Sequence, residues 1–185
     1  MSGDRGDELG AGGESPGPGV GDLIPPFTLE AMGGGVVRRH DYRGRRHLIL
    51  VFTHGIGCPS CAALLETLAA RYADYRAEGA EVLAFLPADE PRCPARADGA
   101  RALPYPLLCD SEGRARARYG ARTPAGEPLA ALLVADRHGE VVLRAVAGEG
   151  EHSSAPAAST DTAFHGLPLD EVLPLVSLLQ VRCSI

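Results

Sequence analysis

The sequence predicts an α/β fold: a central mixed sheet with parallel strands and a C-terminal antiparallel hairpin, and helices on both faces. Three observations carry that reading. Residues 48–52, Leu-Ile-Leu-Val-Phe, are continuously apolar, as in a parallel strand buried on both sides. Leu64, Leu65, Leu68, Tyr72 and Tyr75 recur at spacings of three and four, the stripe of a core-facing helix. Residues 130–135 and 141–146 flank Asp136-Arg137-His138-Gly139, a short Gly-containing connection that marks a hairpin.

The remaining elements follow in chain order. Val36-Val37 reads as a short strand before the turn-like Asp41-Tyr42-Arg43-Gly44. After the apolar strand at 48–52, Gly55 and Gly57 permit a sharp turn, and Pro59 suits a first helical position because its missing N–H is no loss there. One helix then runs to Gly79, which can stop it. Residues 82–86 form a second parallel strand, and the Pro-rich stretch 87–103 a loop with at most one short helix. A third strand at 106–109 leads to Asp110-Ser111, caps for a short helix through Tyr119 that ends at Gly120. Residues 147–166 show no period and read as an irregular loop. A final helix over 169–181 carries Val172, Leu175, Val176 and Leu179 on one face, with Pro174 able to kink it.

Between the best strand and the best helix stands Cys58-Pro59-Ser60-Cys61. A cysteine at a helix start faces unpaired backbone N–H groups and the positive end of the macrodipole, which favour thiolate over thiol. That makes Cys58 the candidate nucleophile. Cys61 lies about one turn deeper, within reach of a mixed disulfide or sulfenic acid at Cys58. His54, four residues before Cys58, is placed to exchange a proton with the thiol or to stay a solvent-facing loop residue. Thr53 is a candidate hydrogen-bonding group near the sulfur, although a β-branched residue ending a strand needs no such role. Glu66 and Asp74 fall opposite the leucines and read as solvated.

A structural zinc site would call for a second C-x-x-C or an H-x-x-x-H pair, and the sequence has neither. So small a disulfide loop would constrain the unfolded chain little, which argues against a purely structural bridge. Redox chemistry is the expected use of the pair, with no metal and no organic cofactor. Cys109, at a strand end, reads as a small core residue; Cys93, in the Pro-rich loop, as a possible second resolving thiol; Cys183 lies near the C-terminus.

Composition sets the outer limits. The 185 residues, 45% apolar, suffice for one core. Residues 1–19 lack apolar anchors and read as a disordered tail, leaving one domain over 20–185. All 18 positive residues are arginines, scattered under a net charge of -6, so there is no basic footprint for nucleic acid. The absence of lysine excludes Schiff-base and P-loop chemistry through that residue. No signal-like segment or membrane-length apolar run occurs, and five irregularly spaced cysteines look unlike a secreted framework, so the cytoplasm is the expected location.

Strand, helix, strand, helix, strand, hairpin, helix, with C-x-x-C after the first central strand, is the thioredoxin-like order. The segments GDLIPPFTL at 21–29, Asp41-Tyr42-Arg43-Gly44, LILVFTHGIGCPSC at 48–61, GAEVLAFL at 79–86, 106–120 and 133–142 resemble a redoxin of the alkyl hydroperoxide reductase and thiol-specific antioxidant (AhpC/TSA) superfamily, peroxiredoxin-like with a C-x-x-C centre. The resemblance spans most of residues 20–182. It implies a thioredoxin fold, with Cys58 attacking and Cys61 resolving. The electron donor it implies is thioredoxin or a low-molecular-weight thiol.

Two departures stand beside it. Where typical peroxiredoxins carry a Pro and a Thr or Ser seven and three positions before the peroxidatic cysteine, this chain has Val51 and Gly55. Where they carry an arginine just before the hairpin strand, it has Ala130 and Ala131, with Arg122 nearest upstream. Pro128 is a candidate for the cis-proline that thioredoxins set opposite their cysteines, or an ordinary loop proline. The expected function is thiol-disulfide exchange or hydroperoxide reduction through a Cys58/Cys61 cycle. The alternatives are a redox-sensing or partner-binding module with little turnover, and zinc storage by the dithiol.

Overall fold

The computed structural model describes residues 17–55, 57–87, 103–147 and 166–182. Its seven strands are β1 (Thr28–Ala31), β2 (Val36–Arg38), β3 (His47–Phe52), β4 (Ala80–Leu86), β5 (Leu107–Cys109), β6 (Ala131–Ala135) and β7 (Val141–Val146), and its helices α1 (Pro59–Ala70), α2 (Tyr72–Ala77), α3 (Arg114–Arg118) and α4 (Leu169–Arg182). They form one sheet in the order β2-β1-β5-β4-β3-β6-β7. The β5-β4-β3 centre is parallel, and antiparallel strands flank it on both sides. The mixed sheet and C-terminal hairpin are as the sequence predicts.

Burial explains the layers. Every residue of β3, β4 and β6 is buried, which requires cover on both faces. Ile49 and Val51 face one side, with Leu64, Leu65 and Leu68 of α1, Tyr75 of α2, and Val172, Val176 and Leu179 of α4. Leu48, Leu50 and Phe52 face the other, under Ile24, Phe27, Ala115 of α3 and Tyr119 just after it. Pro174 lies within α4, on an exposed position that leaves the buried stripe intact.

Three local findings go beyond the sequence reading. The single helix expected to run to Gly79 is two: Arg71 leaves helical geometry at φ -98°, ψ 4°, and its guanidinium pairs with Asp170 of α4 at 3.0 Å. β1, Thr-Leu-Glu-Ala, alternates over four residues only, turning Leu29 and Ala31 toward the core and leaving Thr28 and Glu30 exposed, and it is held by pairing with β2 and β5. Gly17, assigned above to the tail, packs so tightly that a Cβ there would lie 2.3 Å from the Tyr119 carbonyl oxygen, at a φ of +78° that itself favours glycine. The expected loop segments at 88–102 and 148–165, residues 1–16, and with them Cys93 and Cys183, lie outside the described residues.

Short polar motifs close the connections as expected. Asp110, buried beyond β5, accepts from the backbone N–H groups of Ala115 and Arg116 at 3.1 and 2.8 Å and so anchors α3. In the hairpin, Asp136 Oδ1 accepts from the N–H groups of His138, Gly139 and Glu140. No helix among the described residues is long and apolar enough to cross a membrane.

Candidate active site

At the C-terminal edge of β3 the chain leaves the sheet through Thr53 and His54, turns at Gly55 with φ 123°, and enters α1. Cys58 is the N-cap, extended at φ -81°, ψ 118°, and Pro59 takes the first helical position. The Cys58 carbonyl accepts from Ala62 N at 2.9 Å, so the helix begins at the dithiol. Cys58 is half-buried and Cys61, on the core face, is fully buried; neither is in a disulfide.

His54 closes the third side. Its backbone N–H donates to Cys61 Sγ at 3.3 Å, and its ring Nδ1 lies 3.6 Å from the same sulfur. One ligand atom from each of His54, Cys58 and Cys61 lies within 4.8 Å of the others. Burial, followed by the adjacent Cys58 thiol, pushes the Cys61 thiol up to about 11, against the His54 N–H and the Arg116 charge. At neutral pH Cys61 is therefore a protonated thiol beside Cys58.

Beneath the cluster lies Arg116, which sequence reasoning missed. Its guanidinium donates from Nη2 to the carbonyl oxygens of Thr53 at 2.7 Å and Phe85 at 3.4 Å, and from Nη1 to those of Leu129 at 2.8 Å and Ala121 at 3.2 Å. It also lies 5.6 Å from the Phe52 ring centre. Only 4% exposed, this cation binds together the exits of β3 and β4 and the approach to β6. The Arg-Ala-Arg-Ala-Arg run of α3 gives no sign that its middle arginine points inward; the one available signal is that Arg116 precedes the buried Tyr119 by one helical turn.

The other expected residues take different places. Thr53 is fully buried, and its hydroxyl donates to the Phe85 carbonyl at 3.3 Å. Pro128 pairs with Arg122 in the segment before β6, whose Ala131 lies opposite Phe52. It is thus at the dithiol end of the sheet, in a neighbouring segment. Cys109 is buried in the core, as expected, and is also disulfide-bonded, which the sequence reading did not foresee. Spacing cannot reveal such a pairing, since it depends on how the loops return.

A mixed sheet with a dithiol at the start of the helix after a central strand defines a thioredoxin-like redox protein. Residues 20–144 match the AhpC/TSA family, and the chain belongs to that family. It is 30% identical over 130 residues to two provisionally named peroxiredoxins of Mycobacterium tuberculosis, MT2597 (strain CDC 1551 / Oshkosh) and Rv2521 (strain ATCC 25618 / H37Rv), covering 66% of this chain and 82% of each relative. In fold it is similar to AhpC of M. tuberculosis (TM-score 0.65, 17% identity, 89% of this chain and 94% of that one) and to thioredoxin peroxidase I of Plasmodium yoelii (0.63, 18%, 90% and 93%). It also resembles a thiol:disulfide interchange protein assigned as DsbE from Chlorobium tepidum (0.58, 20%, 87% and 99%). The protein is a thiol-dependent oxidoreductase.

Proposed function

We propose that Cys58 is the attacking thiol and Cys61 the resolving thiol of a cycle that reduces hydroperoxides or disulfides. The observation that carries this reading is the pairing of a half-exposed sulfur at a helix N-cap with a fully buried one less than 4.8 Å away. With a hydroperoxide, the Cys58 thiolate attacks the terminal oxygen, the O–O bond breaks, and the departing alkoxide takes a proton to leave as alcohol. Cys61 then attacks the sulfenic acid, water departs, and a Cys58–Cys61 disulfide remains. With a disulfide substrate, attack by Cys58 breaks its S–S bond, releases one thiol and leaves a mixed disulfide; Cys61 then displaces the second thiol and forms the same Cys58–Cys61 disulfide.

Two thiol equivalents from thioredoxin or a low-molecular-weight thiol return the pair to the dithiol, releasing their own disulfide. A reducing compartment such as the cytoplasm suits that step. His54, touching Cys61 from both backbone and ring, is the group that holds the buried sulfur and exchanges its proton as the disulfide forms. Thr53 acts through its carbonyl, by way of Arg116, and Pro128 lines the substrate side. We take residues 20–185 as one functional domain.

Turnover of hydrogen peroxide and of a protein disulfide, measured side by side with a thiol reductant and with Cys58→Ser as control, tests the reading. Activity on at least one substrate, abolished by the substitution, supports it; none on either removes it. A second reading, a redox sensor with slow turnover, draws support from Cys61, whose burial and raised pKa retard resolution. A disulfide that forms once per chain without steady turnover would favour that reading.

A further inference from the structure

His54, Cys58 and Cys61 supply one imidazole nitrogen and two sulfurs, the donor set that thiophilic divalent ions prefer. We propose that the reduced dithiol and His54 together form a Zn2+ site in which metal binding and oxidation exclude one another. This rests on the dithiol cycle above and adds to it a ligand and a regulatory consequence.

Geometry carries the argument. Zinc bonds sulfur at about 2.3 Å and imidazole nitrogen at about 2.0–2.1 Å, so two such tetrahedral ligands stand about 3.6 Å apart. The distance from Cys61 Sγ to His54 Nδ1 is 3.6 Å. All three ligand atoms lie within 4.8 Å of one another, so a small rotation of the half-exposed Cys58 side chain completes the triangle. The His54 N–H bonded to Cys61 Sγ is the outer-sphere donor that stabilises a metal-bound thiolate.

Among the described residues no fourth His, Cys, Asp or Glu joins the cluster. Three ligands leave a fourth position that water can take, as in zinc sites with three protein ligands. An ion held this way exchanges more readily than one in a closed four-ligand site. Sequence spacing could not show this, because the third ligand comes from the loop before the motif rather than from a second C-x-x-C.

The chemistry balances in both directions. Binding Zn2+ to the dithiol releases two protons from the thiols. One hydroperoxide and two protons then convert the zinc-bound dithiolate to the Cys58–Cys61 disulfide, free Zn2+, alcohol and water. The two electrons leaving the sulfurs break the O–O bond, and the disulfide no longer offers thiolates to the metal.

The test is an anaerobic titration of the reduced, chelator-stripped full-length protein with Zn2+ against a chromophoric chelator, repeated with Co2+ to read sulfur-to-metal charge-transfer bands. The expected result is one ion per chain, lost in Cys58→Ser and Cys61→Ser. In His54→Ala the affinity falls at least about tenfold and the Co2+ spectrum changes. Peroxide should release one Zn2+ per disulfide formed. No stoichiometric binding, or a His54→Ala protein with unchanged affinity and spectrum, overturns the proposal. Disulfide formation by the metal-free protein is scored separately: if it forms while zinc fails to bind, this inference falls and the dithiol cycle stands, and if zinc binds while no disulfide forms, the reverse holds. Circular dichroism of each variant shows that a lost site is not a lost fold.

Discussion

The Arg116 guanidinium donates to the Thr53 carbonyl at 2.7 Å, one residue before the histidine that contacts Cys61. That bond ties α3, an element with no cysteine of its own, to the loop that carries the dithiol. Arg116→Met would leave the Thr53, Leu129 and Ala121 carbonyls without this donor, at a cost of about 3 kcal/mol. The expected outcome is a lower denaturation midpoint together with slower alkylation of Cys58. Arg116→Lys, retaining charge but not the fork, should recover only part of the stability. A stability and alkylation rate unchanged in Arg116→Met would show that the guanidinium braces nothing.

Cys61 should resist reagents that reach Cys58. At pH 8, limiting iodoacetamide labels Cys58 first and leaves Cys61 untouched until the chain is unfolded, because Cys61 is fully buried and its thiol is pushed up to about 11. Peptide mapping after partial labelling reads this directly. Equal labelling of both sulfurs in the native protein contradicts it.

The same shift makes a prediction about alkaline stability. In the unfolded chain Cys61 ionises near its ordinary value of 9.0, whereas in the fold it stays neutral until about 11. Its contribution is fully present below pH 9 and is lost as pH rises through 11. Cys61→Ala should therefore show a shallower loss of stability over that window than the parent protein, in denaturant titrations at stepped pH. The tyrosines whose pKa values burial also raises, Tyr105 and Tyr119 among them, are common to both proteins and cancel in the difference.

His47 acts at the opposite end of the scale. It is 1% exposed at the start of β3, and burial lowers its pKa from 6.5; a hydrogen bond with Gln180 and the Asp136 carboxylate oppose the shift, and Arg137 and His138 reinforce it. Its contribution is present above pH 6.5 and is lost as pH falls, because the unfolded chain takes up the proton first. His47→Gln should flatten the fall in stability between pH 7.5 and 5. A fall as steep as the parent's would place the acid sensitivity elsewhere.

Glu81 offers a purely structural check. Buried on β4, it accepts from Tyr72 Oη at 2.7 Å and from the Arg76 guanidinium, joining α2 to the sheet just after the break at Arg71. Tyr72→Phe should cost about 1 kcal/mol of stability, with redox activity unchanged. A loss of activity without loss of stability would assign Tyr72 a part in the site that its contacts do not suggest.

How much of this was legible in the sequence depends on how local each signal is. Residues 48–52, the C-x-x-C, Pro59 at the helix start, the Asp110 cap and the hairpin around Asp136 are short-range patterns, and the fold realises each of them. The break at Arg71 was not legible, because the leucine and tyrosine spacing runs through it unbroken. β1 was missed because its alternation, Thr-Leu-Glu-Ala, is only four residues long, and its place in the sheet depends on β5, a distant partner. Arg116, the Cys109 disulfide and the approach of His54 to Cys61 all arise from the return of remote or looped segments, which residue spacing does not encode. The cysteines could be read as chemistry and His54 as a candidate beside them, but Arg116, which braces their loop, could not.

The central claim is tested most directly by treating the reduced protein, in parallel, with one equivalent of hydrogen peroxide and one equivalent of a protein disulfide, and mapping its disulfides by mass spectrometry. The account predicts a Cys58–Cys61 bridge in the parent protein with at least one of them, and in Cys61→Ser a sulfenic acid or a mixed disulfide trapped at Cys58. A parent protein in which both sulfurs remain thiols with both oxidants, or in which Cys58 bridges to some other cysteine, would contradict it.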